Sequence, residues 1–146
     1  MKGLIQRVKH ASVVVDGETV GQIDEGILLL LGVEKQDTEA NADKLLDKAL
    51  KYRIFSDEQG KMNLGLKDTG GELLIVSQFT LVADTRKGLR PGFSSGATPE
   101  QGEKLYDYFV QRARSQHNGV ATGQFGADMK ITLLNDGPVT FMLDVT

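Results

Sequence analysis

The stretch GILLLLGV at 26–33 has no polar side chain. A strand with one face in water alternates apolar and polar residues, whereas an unbroken apolar run belongs to a strand covered on both faces. The run at 27–31 is far too short to cross a bilayer, which takes about 20 apolar residues. The chain must therefore supply two layers of apolar material, one for each side of this strand. It has the means: 146 residues, 40% hydrophobic and 25% charged, the profile of one globular domain spanning 1–146.

The remaining pattern says where those layers come from. Residues 3–9 and 11–15 read as valine-rich strands, and Asp16-Gly17 turns the chain into a third at 19–23. Asp37 or Thr38 can cap a helix whose apolar stripe is Ala42, Leu45, Leu46, Ala49 and Leu50. Short apolar pieces among Ser, Asp, Gly and Asn at 54–71 fit a hairpin or loop, and 72–82 is a further strand. Thr98, Pro99 and Gln101 mark a second helix, with Thr as cap and Gln completing a capping box. Its stripe is Leu105, Tyr106, Phe109, Val110 and Ala113. Short strands are expected at 119–123, 130–134 and 139–145. The expected fold is α+β, with many strands that are mostly neighbours in sequence and two main helices packed on them.

Several function classes are disfavoured. There is no cysteine, which removes disulfides, thiolate metal sites and a Cys nucleophile. His10 and His117 stand far apart and in no metal-ligand spacing. The formal net charge of -3 argues against a general nucleic-acid coat while leaving room for a local basic patch. No signal peptide is visible in MKGLIQRVKH, so the expected location is cytoplasmic. No P-loop, dinucleotide fingerprint or zinc-hydrolase motif is present, and no Ser-His-Asp triad can be drawn.

Three stretches remain as candidates for chemistry. In ELLIVSQFTLV the strand pattern turns polar at Ser77, Gln78 and Thr80, either because the strand emerges to the surface or because it ends in a site. The loop at 84–97 carries Arg86, Lys87 and Arg90 among glycines and serines, as a solvated loop or a phosphate contact. In LNDGPVTFML, Gly137-Pro138 sits where the chain should re-enter a strand, although proline gives no amide to a ladder. An ordinary rigid turn explains it, and so does backbone bared for a ligand.

SQFTL at 77–81 followed by NDGPVT at 135–140 resembles the D-aminoacyl-tRNA (D-tyrosyl-tRNA) deacylases. The likeness extends through LIQRV, LLLLGVEK, YRIFSDEQGKMNL, RKGLRPGF and LYDYFV, with Gly92 standing where the family commonly has Ser. The resemblance implies a mixed, mostly antiparallel sheet with a barrel-like core. It implies an ester hydrolase that frees tRNA from D-amino acids and from glycine, with no cofactor and no metal. It also implies a homodimer with two interface sites, in which Gly137-Pro138, as a cis dipeptide oriented by Arg7, enters the partner's SQFTL pocket and rejects L-amino acids by a clash. Thr80, Gln78 and Ser77 would be the catalytic group, with Phe79 and Met129 packing on the terminal adenine. Arg86, Lys87 and Arg90 are the residues expected to meet tRNA. Thr80 as nucleophile and assistance by the substrate's 2'-hydroxyl both stay open, since no base partnered to Thr80 is visible.

Overall fold

A computed structural model describes residues 1–146. The order of elements is β1 (Lys2–Val15), β2 (Glu18–Ile23), β3 (Gly26–Gly32), α1 (Glu39–Lys51), β4 (Phe55–Ser56), β5 (Met62–Leu64), α2 (Leu66–Thr69), β6 (Glu72–Ser77), a 3-10 turn (Phe79–Val82), α3 (Pro99–Gln116), β7 (Val120–Thr122) and β8 (Lys130–Asp144). The main sheet runs β2-β1-β3-β6-β7, with β8 paired to the long β1. β1 is antiparallel to β2, β3 and β8, while β3, β6 and β7 are mutually parallel. The sheet curls until β2 meets β7. At that seam Gly21 is indispensable, because a Cβ there would strike the Thr122 carbonyl.

The apolar run of β3 is covered twice, as its composition requires. Ile27, Leu29 and Leu31 face a core shared with Ile5, Leu73 and Ile75 and closed by α1 and α3 through Leu45, Leu46, Leu50, Leu105 and Phe109. Leu28 faces a second, smaller core inside the curl with Val8, Ala11, Val13, Ile23, Leu74 and Val76. Each such side chain contributes about 1.5–3 kcal/mol on burial. The two helix stripes are buried as the periodicity predicts.

Four expectations need correction. Residues 3–9 and 11–15 form one continuous strand, bent as it passes from β3 to β2 as partner. The strand expected at 72–82 stops at Ser77, and the chain then coils into the 3-10 turn. Gln101 completes no capping box. Thr98 Oγ1 accepts from the Gln101 amide, but the Gln101 side chain donates instead to the carbonyls of Lys35 and Asp37. The two C-terminal strands are one, because both halves of β8 pair with β1 instead of with each other. The 54–71 region holds the β4–β5 hairpin and, beyond what its sequence signalled, the single helical turn α2.

Candidate active site

β6 ends where its neighbour β3 ends. The Gln78 amide still donates to Leu31 at 2.8 Å, but its backbone has left the β region for the following turn. Inside the turn the first bond runs from the Leu81 amide to the Gln78 carbonyl at 3.1 Å. The amides of Phe79 and Thr80 stand ahead of that bond and outside the internal ladder, as the first amides of any helical turn do. The Gln78 side-chain amide donates to the Thr80 hydroxyl. No imidazole or carboxylate is hydrogen-bonded to Thr80, so nothing is present to take its proton.

Behind this turn lies a cavity of about 450 Å³. Val76, Ser77, Gln78 and Phe79 form one wall, the start of α3 (Thr98, Pro99, Gly102) another, and Phe125, Met129 and Ile131 a third. The Phe79 ring is 70% exposed at the mouth and leans on Phe93, with 5.3 Å between ring centroids. Thr80 sits beside the mouth, exposed, and is not part of the lining.

Gly137 and Pro138 belong to a different place. Along the β1–β8 ladder Gln6 pairs with Thr140 and Val8 with Asn135, so residues 136–139 bulge out opposite Arg7 alone. The Gly137–Pro138 peptide is cis. Arg7 anchors the bulge by donating to the Asp136 carbonyl at 2.9 Å and to the Ile54 carbonyl at 2.8 Å. Asn135 closes it: its Oδ1 accepts from the Val139 amide at 2.7 Å and its Nδ2 donates to the Thr140 hydroxyl at 2.9 Å. Gly137 has φ +148°, and a Cβ there would come within 2.6 Å of Val139 Cγ2. Only glycine fits.

The register measures the gap between bulge and cavity. Arg7 aligns with Ile27 and through it with Leu73, whereas Ser77 aligns with Leu31 and through it with Gly3. On the strands this is an offset of four residues, about 13 Å, and along β8 itself Gly137 stands six residues beyond Ile131 of the cavity wall, about 20 Å. The bulge lies outside the lining of the cavity in its own chain.

A family model described as D-Tyr-tRNA(Tyr) deacylase matches residues 4–144. A D-aminoacyl-tRNA deacylase of Stutzerimonas stutzeri (strain A1501) is 67% identical over 144 residues, covering 99% of each chain. The chain belongs to the D-Tyr-tRNA(Tyr) deacylase family. It is therefore an enzyme, a hydrolase. Among solved structures, one described as c-Myc DNA Unwinding Element Binding Protein superposes with TM-score 0.95 at 38% identity, covering 100% of this chain and 99% of that one. A probable eukaryotic D-amino acid tRNA deacylase shares the fold with TM-score 0.87 at 17% identity, covering 99% and 98%.

In this deacylase-family chain the predicted residues thus fall into three groups. Ser77, Gln78, Phe79 and Met129 line the cavity, with Thr80 at its edge. Arg7, Gly137 and Pro138 form the bulge. Arg86, Lys87 and Arg90 lie on an exposed loop closed by the paired backbones of Asp84 and Gly92. A Cβ at Gly92 would meet nothing closer than 3.7 Å, so Ser there would be accommodated equally well. Arg86 is not free: its guanidinium binds both oxygens of Asp84 at 2.9 and 2.8 Å. Those bonds hold the Asp84 carboxyl well below the usual carboxylate range and raise Arg86 in turn. No group of three or more His, Asp or Glu is arranged to hold a metal ion.

Sequence reasoning missed Phe93, Phe125 and Asn135. Asn two residues before Gly was a usable signal, since its short amide bonds its own backbone in turns. Phe93 and Phe125 carried no signal, because a lone aromatic in a loop looks the same whether it lines a site or covers a core.

Proposed function

We propose that the chain is a D-aminoacyl-tRNA deacylase acting as a symmetric homodimer in the cytosol, with residues 1–146 forming one domain. Each site joins the cavity of one subunit to the bulge of the other. The observation that carries this reading is the separation of the two motifs: the bulge is outside the lining of its own chain's cavity, about 20 Å along β8 from Ile131 in the cavity wall, although the family resemblance brings both motifs into one site. A second copy related by a two-fold axis supplies the missing half at both sites at once.

In this reading the terminal adenine stacks between Phe79 and Met129, and Ser77 and Gln78 orient the ribose. Water adds to the ester carbonyl carbon, and the resulting oxyanion is met by the amides of Phe79 and Thr80. The carbon–oxygen bond to the ribose then breaks. The proton lost by water ends on the ribose oxygen, giving free tRNA and the amino acid. Thr80 lacks a base, so the substrate's 2'-hydroxyl is the better aid to water than Thr80 is a nucleophile. The partner's Gly137 and Pro138 backbone faces the substrate α-carbon. A D-residue turns only a hydrogen towards it, glycine fits equally, and an L-side chain collides. A filter of main chain reads no particular side chain, so one enzyme serves many D-amino acids in translation quality control.

The test is hydrolysis of matched D- and L-tyrosyl-tRNA together with sedimentation of the protein. Cleavage of the D-ester by a dimer is expected. Equal cleavage of both esters would overturn the chiral filter, no cleavage would overturn the activity, and an active monomer would overturn the shared site. A second reading, a nucleic-acid-binding module without turnover, draws on the description of the 38% identical relative. It predicts binding with no hydrolysis at all.

A further inference from the structure

We propose that the C-terminal half of α1 and the segment after it form a second RNA surface, which holds the phosphates of the tRNA acceptor stem. This rests on the deacylase reading above. Lys44, Lys48 and Lys51 recur at four- and three-residue spacing, so they line one stripe of the helix, and Arg53 follows just beyond its end. All four are exposed, and together with Asp47, Tyr52, Ile54 and Phe141 they line one open groove. Only Lys51 is ion-paired, to Asp47 at 2.8 Å; Lys44, Lys48 and Arg53 are in no ion pair. The floor is an edge-to-face pair of Tyr52 and Phe141, 5.8 Å between centroids.

A simpler cause covers part of this. Cations in the last turn offset the partial negative charge of a helix C-terminus, which accounts for Lys48 and Lys51. It does not account for Lys44, a turn further in, or for Arg53, outside the helix. In a chain of net charge -3, four cations against one carboxylate in one groove form a local field of the opposite sign to the whole. The loop at 84–97 offers fewer unpaired cations, Lys87 and Arg90 alone, because Asp84 already occupies Arg86.

Position selects the ligand. The groove residue Ile54 gives its carbonyl to Arg7, whose Nε holds Asp136 beside Gly137, so groove and bulge are joined through one side chain. If the bulge serves the partner's cavity, RNA leaving that cavity next meets this groove. Each tRNA would then be hydrolysed in one subunit and gripped by the other.

The experiment compares wild type with Lys44→Glu/Lys48→Glu/Arg53→Glu, and with the gentler Lys→Gln and Arg→Gln set in case reversal impairs folding. The readouts are kcat and KM on D-tyrosyl-tRNA, the same on D-tyrosyl-adenosine, which is too short to reach the groove, and binding of uncharged tRNA across a salt series. The expected result is a KM for the tRNA ester raised about tenfold or more, little change with D-tyrosyl-adenosine, and a salt slope shallower by about 0.9 for each phosphate that is no longer neutralised. An unchanged KM and slope would overturn the proposal. So would equal losses on both esters, or a change of oligomeric state, which would make the groove a subunit contact. If wild type cleaves neither ester, the deacylase reading fails while the tRNA-binding comparison still decides the groove.

Discussion

β6 and β8 both leave regular pairing at the family motifs, β6 by coiling and β8 by looping out. The coil after Ser77 keeps Gln78 and Phe79 in the lining of the chain's own cavity and leaves the Phe79 and Thr80 amides ahead of its first internal bond. The bulge at 136–139 exposes Gly137 and Pro138, while Val139 is buried in the main core and Arg7 and Asn135 hold the loop in place. One interruption builds a recess and the other a projection. Side chains vary the shape of a recess, whereas the projection is tied to its shape by backbone: Gly137 admits no Cβ, while the Thr80 hydroxyl is held by the Gln78 side chain.

The largest effect should come from the projection. Gly137→Ala is expected to lower kcat/KM on D-tyrosyl-tRNA on the order of a hundredfold, since a displacement of about 1 Å in a positioning group has that consequence. It should also lower the melting temperature, because the new methyl meets Val139. Near-normal kinetics would detach the bulge from the site. Next comes Arg7→Ala, which orphans the carbonyls of Asp136 and Ile54 and should cost about 1–3 kcal/mol in denaturant melts. Arg7→Lys should recover only part, because a single nitrogen replaces the two guanidinium nitrogens that reach Asp136 and Ile54 separately. If Arg7→Ala is as stable and active as wild type, the bulge does not depend on its anchor.

Within the recess the expected change is smaller. Thr80→Ala should keep kcat within about tenfold of wild type, as befits a hydroxyl whose partner is an amide and not a base. A substrate ending in 2'-deoxyadenosine should fail with either protein. Abolition of turnover in Thr80→Ala, with the deoxy ester still cleaved, would restore the threonine as nucleophile and reverse the comparison. The least effect is expected from prolonged chelation, because no cluster of ligating side chains exists to be emptied. A rate lost to chelator and regained with zinc would contradict this.

The sequence revealed those elements whose burial is periodic. Both helices were legible because Ala42 to Leu50 and Leu105 to Ala113 repeat at helical spacing, and β3 because it lacks polar residues altogether. The end of β6 was not, since Phe79 and Leu81 continue an alternation that the backbone abandons at Gln78. Periodicity measures side chains and is blind to a change of backbone that keeps their order. β8 misled in the opposite direction. Asp-Gly-Pro carries every local sign of a turn, yet β1 offers a partner to both flanks, and long-range pairing outweighed the local preference. Of the site, composition and spacing showed the residue types, and the grouping of SQFTL with Met129 and of Arg7 with Gly137-Pro138 came only with the family resemblance, because register decides which motif lies near which.

The pairing of β8 with β1 also fixes an order of assembly. Met1 and Val145, 144 residues apart, are hydrogen-bonded to each other, and beside them Lys2 faces Asp144, so the ladder joins segments far apart in sequence. Until residues 130–144 leave the ribosome, β1 keeps an unfilled edge, open to the wrong strand or the wrong chain. Such distant pairings come late in folding, because little else rewards the closure of so long a loop. The same late strand carries the bulge. The loop that exposes Gly137 and Pro138 therefore takes shape only when β8 docks on β1.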